Sequence, residues 1–233
     1  MIRRGVRRFA ATLGARDAGI SLVELLVSML LLGVVMTMVS GLYMSASSTL
    51  RQAQTLSDNT RQASNAMNEV ARVIRVATEN PMSGQPLNDP ALEQATPEAV
   101  TLYAYVNLGM STQQPLKIQL ALDADRRLVE TRWASTASSG GYFTFSTTPS
   151  STRIIAETVA PSGTALFSYL DNAGMPIAGA AGLGTLGTST ERRTVASIAV
   201  VLTLQASKTD ARSAVTLQNT VGMPNVALAR TMP

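Results

Sequence analysis

The sequence predicts an α+β fold in which a long N-terminal helix packs on an antiparallel β-sheet head. Three observations lead to this prediction. Residues 20–43 form an almost unbroken apolar run, and residues 44–77 contain neither proline nor glycine and carry apolar residues at helical spacing. The rest of the chain is divided by proline and glycine into short segments with the alternation of β-strands.

The apolar run, "ISLVELLVSMLLLGVVMTMVSGLY", is longer than the roughly 20 residues that a helix needs to cross a bilayer. No second run of this kind follows, so we expect a single crossing. Glu24 is the only charged residue in the run. A carboxylate at the centre of a bilayer costs about 2.5–3.5 kcal/mol on insertion scales, and such residues usually have a partner and a function. The sequence therefore raises the question of which group neutralises Glu24.

The residues before the run are basic. Residues 1–19 contain five arginines and one aspartate, a net charge of +4 that equals the net charge of the whole 233-residue chain. Positive flanks stay on the cytoplasmic side, so the N-terminus is expected inside and everything after Tyr43 outside. Without these 19 residues the chain is neutral, and its charge predicts no binding to nucleic acid. We expect the apolar run to be the part of the chain that contacts membrane lipid.

A secretory signal is the competing interpretation, because such signals also begin with a basic segment. The small residues 44–48, "MSASS", could then mimic a cleavage site. The apolar run is too long for the core of an ordinary signal, and the sequence that follows it remains compatible with a helix.

The segment "GISLVELLVSMLLLGVV", which starts at Gly19, resembles the signature of type IV pilins and pseudopilins. The resemblance implies a pilin-like fold, cleavage by a prepilin peptidase between Gly19 and Ile20, and N-methylation of Ile20. The family usually has Phe and then Thr after the cut, where this chain has Ile20 and Ser21. The glutamate that the family has at the fifth position of the mature chain corresponds to Glu24.

The cut supplies a partner for Glu24. It creates a positive amine at Ile20, one helical turn before the glutamate, and the first turn of a helix favours a carboxylate. In the filaments of this family the glutamate is thought to neutralise the amine of a neighbouring subunit, which makes Glu24 a candidate assembly residue. The alternative is a glutamate tolerated near the interface in a plain membrane anchor.

Two glycines, Gly33 and Gly41, interrupt the apolar helix. Each costs about 1 kcal/mol relative to alanine in a helix interior. The resemblance implies that residues 34–40 unwind in the filament, because Gly41 stands where the family often has proline. The alternative is that both are small residues that allow close approach of helices.

Beyond the membrane run we predict one continuous helix from Leu22 to Ala77. Its second half carries an apolar stripe, expected to pack on the sheet, although a coiled coil has the same spacing. The stripe comprises Leu50, Ala53, Leu56, Thr60, Ala63, Met67, Val70, Ile74 and Ala77.

The head should consist of strands and loops. Residues 79–98 contain four prolines and are expected to form a connection with at most one helical turn at 91–94. "LDADRRL" predicts a hairpin turn, and "ERR" (191–193) predicts the exposed start of a strand after a flexible loop. Asp123 with Asp125, and Asp171 with Asn172, could bind Ca²⁺, but turn formation explains both pairs. The predicted strands cover residues 100–106, 116–122, 127–133, 142–145, 153–159, 165–170, 196–206 and 214–220.

These observations divide the chain into a leader (1–19), a membrane and assembly helix (20–43), its amphipathic continuation (44–78) and a β-rich head (79–233). The favoured function is a minor pilin-type subunit of a type IV pilus, with prepilin peptidase and other pilins as partners. Its location would be the inner membrane and then a filament at the surface or in the periplasm. A pseudopilin of a type II secretion system is the first alternative.

A membrane-anchored enzyme or receptor is the alternative of another class. The absence of histidine and cysteine excludes triads that use histidine, thiol nucleophiles and zinc sites built on these residues. No enzyme activity and no cofactor are therefore expected.

Overall fold

The computed structural model describes residues 20–84, 87–106, 114–137, 142–161, 165–177, 184–207 and 211–226. It confirms the predicted α+β architecture. A long helix opens the described chain, and nine antiparallel strands in two sheets follow it among the described residues. The chain divides into two compact units, with the boundary inside the helix between Leu50 and Arg51.

Helix α1 spans Leu22–Arg75, 54 residues in one continuous element, and ends two residues before the predicted Ala77. Its last turn carries Arg72 and Arg75, and cations there are favoured by the negative end of the helix dipole. The backbone then continues into the first sheet, where Ala77 forms an isolated bridge with Ala104.

The predicted stripe of α1 is correct only in its C-terminal part. Its last five members, from Ala63 to Ala77, are buried as expected. Leu50, Ala53 and Thr60 are exposed and Leu56 is half-buried, so this part of the prediction is wrong. Burial begins instead at Asn59, whose side-chain amide donates to the carbonyl of Ser213 at 2.8 Å. Spacing identifies the face of a helix but not the residue at which the sheet begins to cover it.

The first sheet contains six antiparallel strands in the order β1-β2-β3-β4-β5, and β6 also pairs with β4. In β3 the residues that alternate toward the core are Ile118 and Leu120, and both are fully buried. The strands are β1 (Leu92–Ala95), β2 (Ala99–Ala104), β3 (Leu116–Leu122), β4 (Leu128–Ala137), β5 (Phe143–Phe145) and β6 (Ser151–Ala156).

The second sheet is three-stranded in the order β7-β8-β9, where β7 is Phe167–Leu170, β8 is Ser197–Leu204 and β9 is Val215–Gly222. Every second residue of β8 is buried, as its sequence alternation predicts. Helix α2 (Ser189–Thr194) precedes β8, and a short 3₁₀ turn, Ala211–Ser213, precedes β9.

All eight predicted strands occur, with ends that differ by a few residues. The connection predicted at 79–98, with at most one helical turn at 91–94, is wrong in this part, because residues 92–95 form β1. Leu92 and Ala95 are both buried, and Leu92 pairs with Leu102 of β2. The segment "ALEQA" has good helix formers, but pairing with β2 outweighs this local preference.

The two acidic turns are organised by their own aspartates. The Asp123 carboxylate accepts backbone N–H groups of Asp125 and Arg127 at 2.9 and 2.8 Å, and it closes the predicted β3–β4 hairpin. The Asp171 carboxylate accepts the N–H groups of Ala173 and Met175, both at 2.8 Å. The turn interpretation is therefore confirmed at both positions.

Tyr169 of β7 links the two sheets. Its ring is fully buried, and its hydroxyl donates to the carbonyl of Thr96, at the turn between β1 and β2, at 2.8 Å. Burial raises the pKa of this phenol well above its ordinary value, so the hydroxyl stays protonated and remains a donor.

Candidate assembly site

The start of α1 is capped by Ser21. The Ser21 carbonyl accepts the N–H of Leu25 at 3.1 Å, and its hydroxyl oxygen accepts the N–H of Glu24 at 3.2 Å. These are the two bonds of an N-cap residue, which satisfy free donors of the first helical turn. Glu24 consequently occupies the third helical position, where a carboxylate is stabilised by the dipole.

The Glu24 side chain is exposed, and no described residue forms an ion pair or a hydrogen bond with its carboxylate. Gly19 and the rest of the predicted leader, residues 1–19, lie outside the described residues. Ile20, the predicted new N-terminus, is described and is 72% exposed. The acid of the apolar helix is thus available to a partner outside the described chain.

Two hydroxyl side chains of the apolar helix form hydrogen bonds within the helix. Ser28 Oγ donates to the carbonyl of Glu24, and Thr37 Oγ1 donates to the carbonyl of Gly33, each at 2.8 Å. Such bonds to the preceding turn let hydroxyls enter an apolar environment at little cost. Glu24 is the one charged side chain of residues 20–43, and its burial in lipid requires a partner.

The whole N-terminal part of α1 presents apolar surface. Every residue from 20 to 46 is exposed, including Leu22 at 80% and Tyr43 at 72%. An 18-residue window of this helix reaches a mean hydropathy of 2.5, and α1 is the one helix among the described residues that is long and apolar enough to cross a membrane. Apolar surface of this extent requires lipid or other helices as its surroundings.

Gly33 and Gly41 both lie inside the continuous helix, and a Cβ placed on either would meet no atom within 4 Å. Substitution by alanine is therefore sterically possible at both positions in this chain. Their predicted part in local unwinding stays a prediction.

A cluster of five charged side chains, here called the charge cluster, joins α1 to the first sheet. Glu69 of α1 accepts hydrogen bonds from Arg72 Nε at 3.0 Å and from Arg72 Nη2 at 2.5 Å, and it also pairs with Arg153 of β6. Glu130 of β4, whose side chain is completely buried, is held by Arg153 at 2.7 Å and by Arg132. Arg132 lies 3.4 Å from Glu69 and so connects the two acids.

The electrostatics of the cluster favour the charged form of Glu69. Hydrogen bonding by Arg72, together with the charges of Arg72 and Arg153, lowers the pKa of Glu69 from 4.5 to about 2, against the opposing effect of its burial. The same contacts raise the pKa of Arg153, with the Glu130 hydrogen bond as the largest cause. The cluster therefore holds α1 against the first sheet.

Sequence reasoning missed this cluster and helix α2. The pairing of Glu130 with Arg153 depends on the β4–β6 register, which no local pattern gives. For α2 the signal was present. Thr188 and Glu191 have the spacing of a capping box, and both reciprocal bonds are formed, so the expected strand entry at 191–193 is wrong.

No group of three or more acidic side chains that could hold a metal ion occurs within the described ranges. The two aspartate turns named above use their oxygens on backbone N–H groups. Nothing in these two turns therefore points to bound Ca²⁺.

Residues 14–40 match the family model of the prokaryotic N-terminal methylation motif. A search of curated proteins found no match to the chain. The matched stretch contains Gly19, Ile20 and Glu24, and it is followed by the long helix and antiparallel β-sheet head of a pilin-like fold. The chain therefore carries the N-terminal methylation signature of type IV pilins and pseudopilins, on a helix that is long and apolar enough to cross a membrane.

Proposed function

We propose that the protein is a minor pilin-type structural subunit of a type IV pilus or related filament, assembled through its N-terminal helix. The observation that carries this proposal is the Glu24 carboxylate, which has no partner among the described residues and lies in the first turn of an exposed apolar helix, inside the matched motif.

Processing completes the site. Prepilin peptidase removes residues 1–19 between Gly19 and Ile20, and Ile20 is then N-methylated. The new amine is positive, and it lies one turn from Glu24 within its own chain. In lipid both charges are costly when they are alone, so docking two helices such that the amine of one meets Glu24 of the other lowers the free energy of both. Neutralisation thereby sets the axial register of the subunits.

The remaining divisions of the chain follow from this role. Residues 20–43 span the membrane before assembly and residues 44–78 carry the helix out of it, with the N-terminus inside. Residues 79–233 form a head outside the membrane, which then becomes part of a surface or periplasmic filament. A head of this length favours a minor subunit over a bulk pilin.

Substitution of Glu24 tests the assembly role. Glu24→Ala and Glu24→Gln should be cleaved and methylated normally but should not enter filaments, because the neighbouring amine stays unpaired. Val27→Ala, an apolar change in the next turn, is the matched control and should assemble. Cleavage is followed by mass spectrometry and assembly by the amount of subunit in sheared filaments. Normal incorporation of both Glu24 variants would refute the role.

A pseudopilin would use the same Glu24 assembly site, but it would be part of a type II secretion system rather than a type IV pilus. Deletion of the gene should abolish or shorten surface pili if the chain is a minor pilin. Loss of protein secretion with intact pili would assign it to a type II secretion system instead. An anchored receptor or enzyme predicts neither effect.

A further inference from the structure

Strand β9 forms an open edge of the second sheet. It pairs with β8 over its full eight residues, from Val215 opposite Leu204 to Gly222 opposite Ser197. Met223 N donates to Ala196 O, so the alternate residues of β9 that bond to β8 are the odd-numbered ones. The N–H and C=O groups of Thr216, Gln218 and Thr220 therefore point away from β8. No described strand pairs with them.

The other sheet edges are protected. The carbonyl of Leu92 in β1 accepts Arg192 Nε of α2 at 3.1 Å. In β7, the outward carbonyl of Tyr169 accepts the N–H of Ile177 at 2.9 Å, and the outward N–H of Phe167 is bonded to Pro97. Strand β5 has only three residues, and β6 carries a charged residue, Arg153, and a pairing irregularity with β4. Short strands, charges, bulges and covering segments are the usual defences against edge-to-edge pairing.

Within the described ranges, strand β9 has none of these defences. Its sequence, "VTLQNTVG", contains no charged residue and no proline. The side chains of Thr216, Gln218 and Thr220 are exposed on one face. Thr216 already forms a cross-strand pair with Thr203 of β8, with 2.8 Å between the hydroxyl oxygens. An uncharged edge with free backbone groups matches one kind of ligand, an extended polypeptide that adds as a further strand.

We propose that the β9 edge accepts an extended, uncharged strand from the head of a neighbouring subunit in the filament. This inference rests on the proposed function. A single added strand is smaller than the roughly 1,200–2,000 Å² interface of a stable complex, so free heads would not associate through it. Helix assembly holds neighbouring heads at high effective concentration, and under that condition a weak edge contact becomes occupied. The edge would then add to the cohesion of the filament outside the membrane.

Residue-resolved hydrogen exchange tests the proposal on the mature, full-length protein. It is measured on dispersed subunits in detergent and on subunits within sheared filaments. The amides of Thr216, Gln218 and Thr220 should exchange rapidly in the dispersed protein and on the order of 100-fold more slowly in filaments. The amides of Leu217 and Asn219, bonded to β8, should be protected in both states and serve as the internal reference.

Two outcomes would overturn the inference. Unchanged exchange of the three outward amides in filaments would show that the edge stays free. Protection already present in dispersed subunits would show that the chain covers its own edge. Failure of the protein to enter filaments would instead refute the proposed function.

A charge placed on the edge gives a second readout. Gln218→Lys together with Thr220→Lys should lower the amount of subunit retained in filaments after shearing, without changing cleavage or the unfolding midpoint. Thr144→Lys, an exposed threonine of the other sheet, is the control and should be retained normally. Equal retention of all three proteins would contradict the proposal.

Discussion

Replacing Glu69 by glutamine removes one acid of the charge cluster while it keeps the shape of the side chain. At neutral pH the carboxylate compensates Arg72, Arg132 and Arg153, and its side chain is only 17% exposed. Its pKa of about 2, against an ordinary 4.5, corresponds to about 3 kcal/mol at 1.36 kcal/mol per unit. We expect Glu69→Gln to lower the free energy of unfolding by about 2–3 kcal/mol at pH 7.

The loss should depend on pH in a defined direction. The folded state holds Glu69 ionised more strongly than the unfolded state does, so its contribution is complete above about pH 5. It decreases as the pH falls and is gone when the folded protein takes up the proton near pH 2. The stabilities of wild type and Glu69→Gln should therefore converge between pH 5 and pH 2.

Urea unfolding in detergent, followed by tryptophan fluorescence, measures this difference. Trp133 is the single tryptophan of the chain and lies in β4 beside Arg132. Asp58→Asn is the matched control, since Asp58 pairs with Arg61 at the same three-residue spacing on α1, but both side chains are more than 70% exposed. It should leave the unfolding midpoint unchanged. A Glu69→Gln midpoint equal to wild type at pH 7, or a difference that persists at pH 2, would refute the reasoning.

Three further sets of variants test other parts of the structure. Tyr169→Phe leaves the Thr96 carbonyl without its buried donor, and it should lower the free energy of unfolding in urea by about 1–2 kcal/mol. Thr188→Ala removes the cap of α2 and should cost about 1 kcal/mol, with Thr188→Ser close to wild type in the same assay. The double variant Gly33→Ala, Gly41→Ala should have a higher helix content by circular dichroism. If the filament requires residues 34–40 to unwind, this variant should enter filaments less than wild type. Undiminished incorporation would favour the alternative that the two glycines allow close helix packing.

The sequence predicted the parts of the fold that depend on local pattern. The apolar run and the absence of proline and glycine after it located α1 within two residues of its C-terminal end. Alternation located β8, and the acidic turn residues located the hairpin at Asp123. The motif around Gly19, Ile20 and Glu24 could be recognised from the sequence because it is a short contiguous segment.

Apart from α2, whose capping box is a local signal, the parts that were missed depend on contacts distant in sequence. The segment of β1 has helical propensity and becomes a strand because Leu92 is buried against β2. Two of the three arginine partners of Glu69, Arg132 of β4 and Arg153 of β6, are more than 60 residues away in the chain, so local sequence gave no sign of them. The exposed start of the stripe at Leu50 likewise reflects where the head ends rather than the spacing.

The central claim is that proteolysis creates the amine that Glu24 neutralises, and the mature N-terminus tests it most directly. Mass spectrometry of the protein purified from membranes or filaments should find a terminal peptide that begins with N-methylated Ile20. A terminal peptide that retains residues 1–19 in the assembled, functional protein, or a cut near Ala46, would contradict the account.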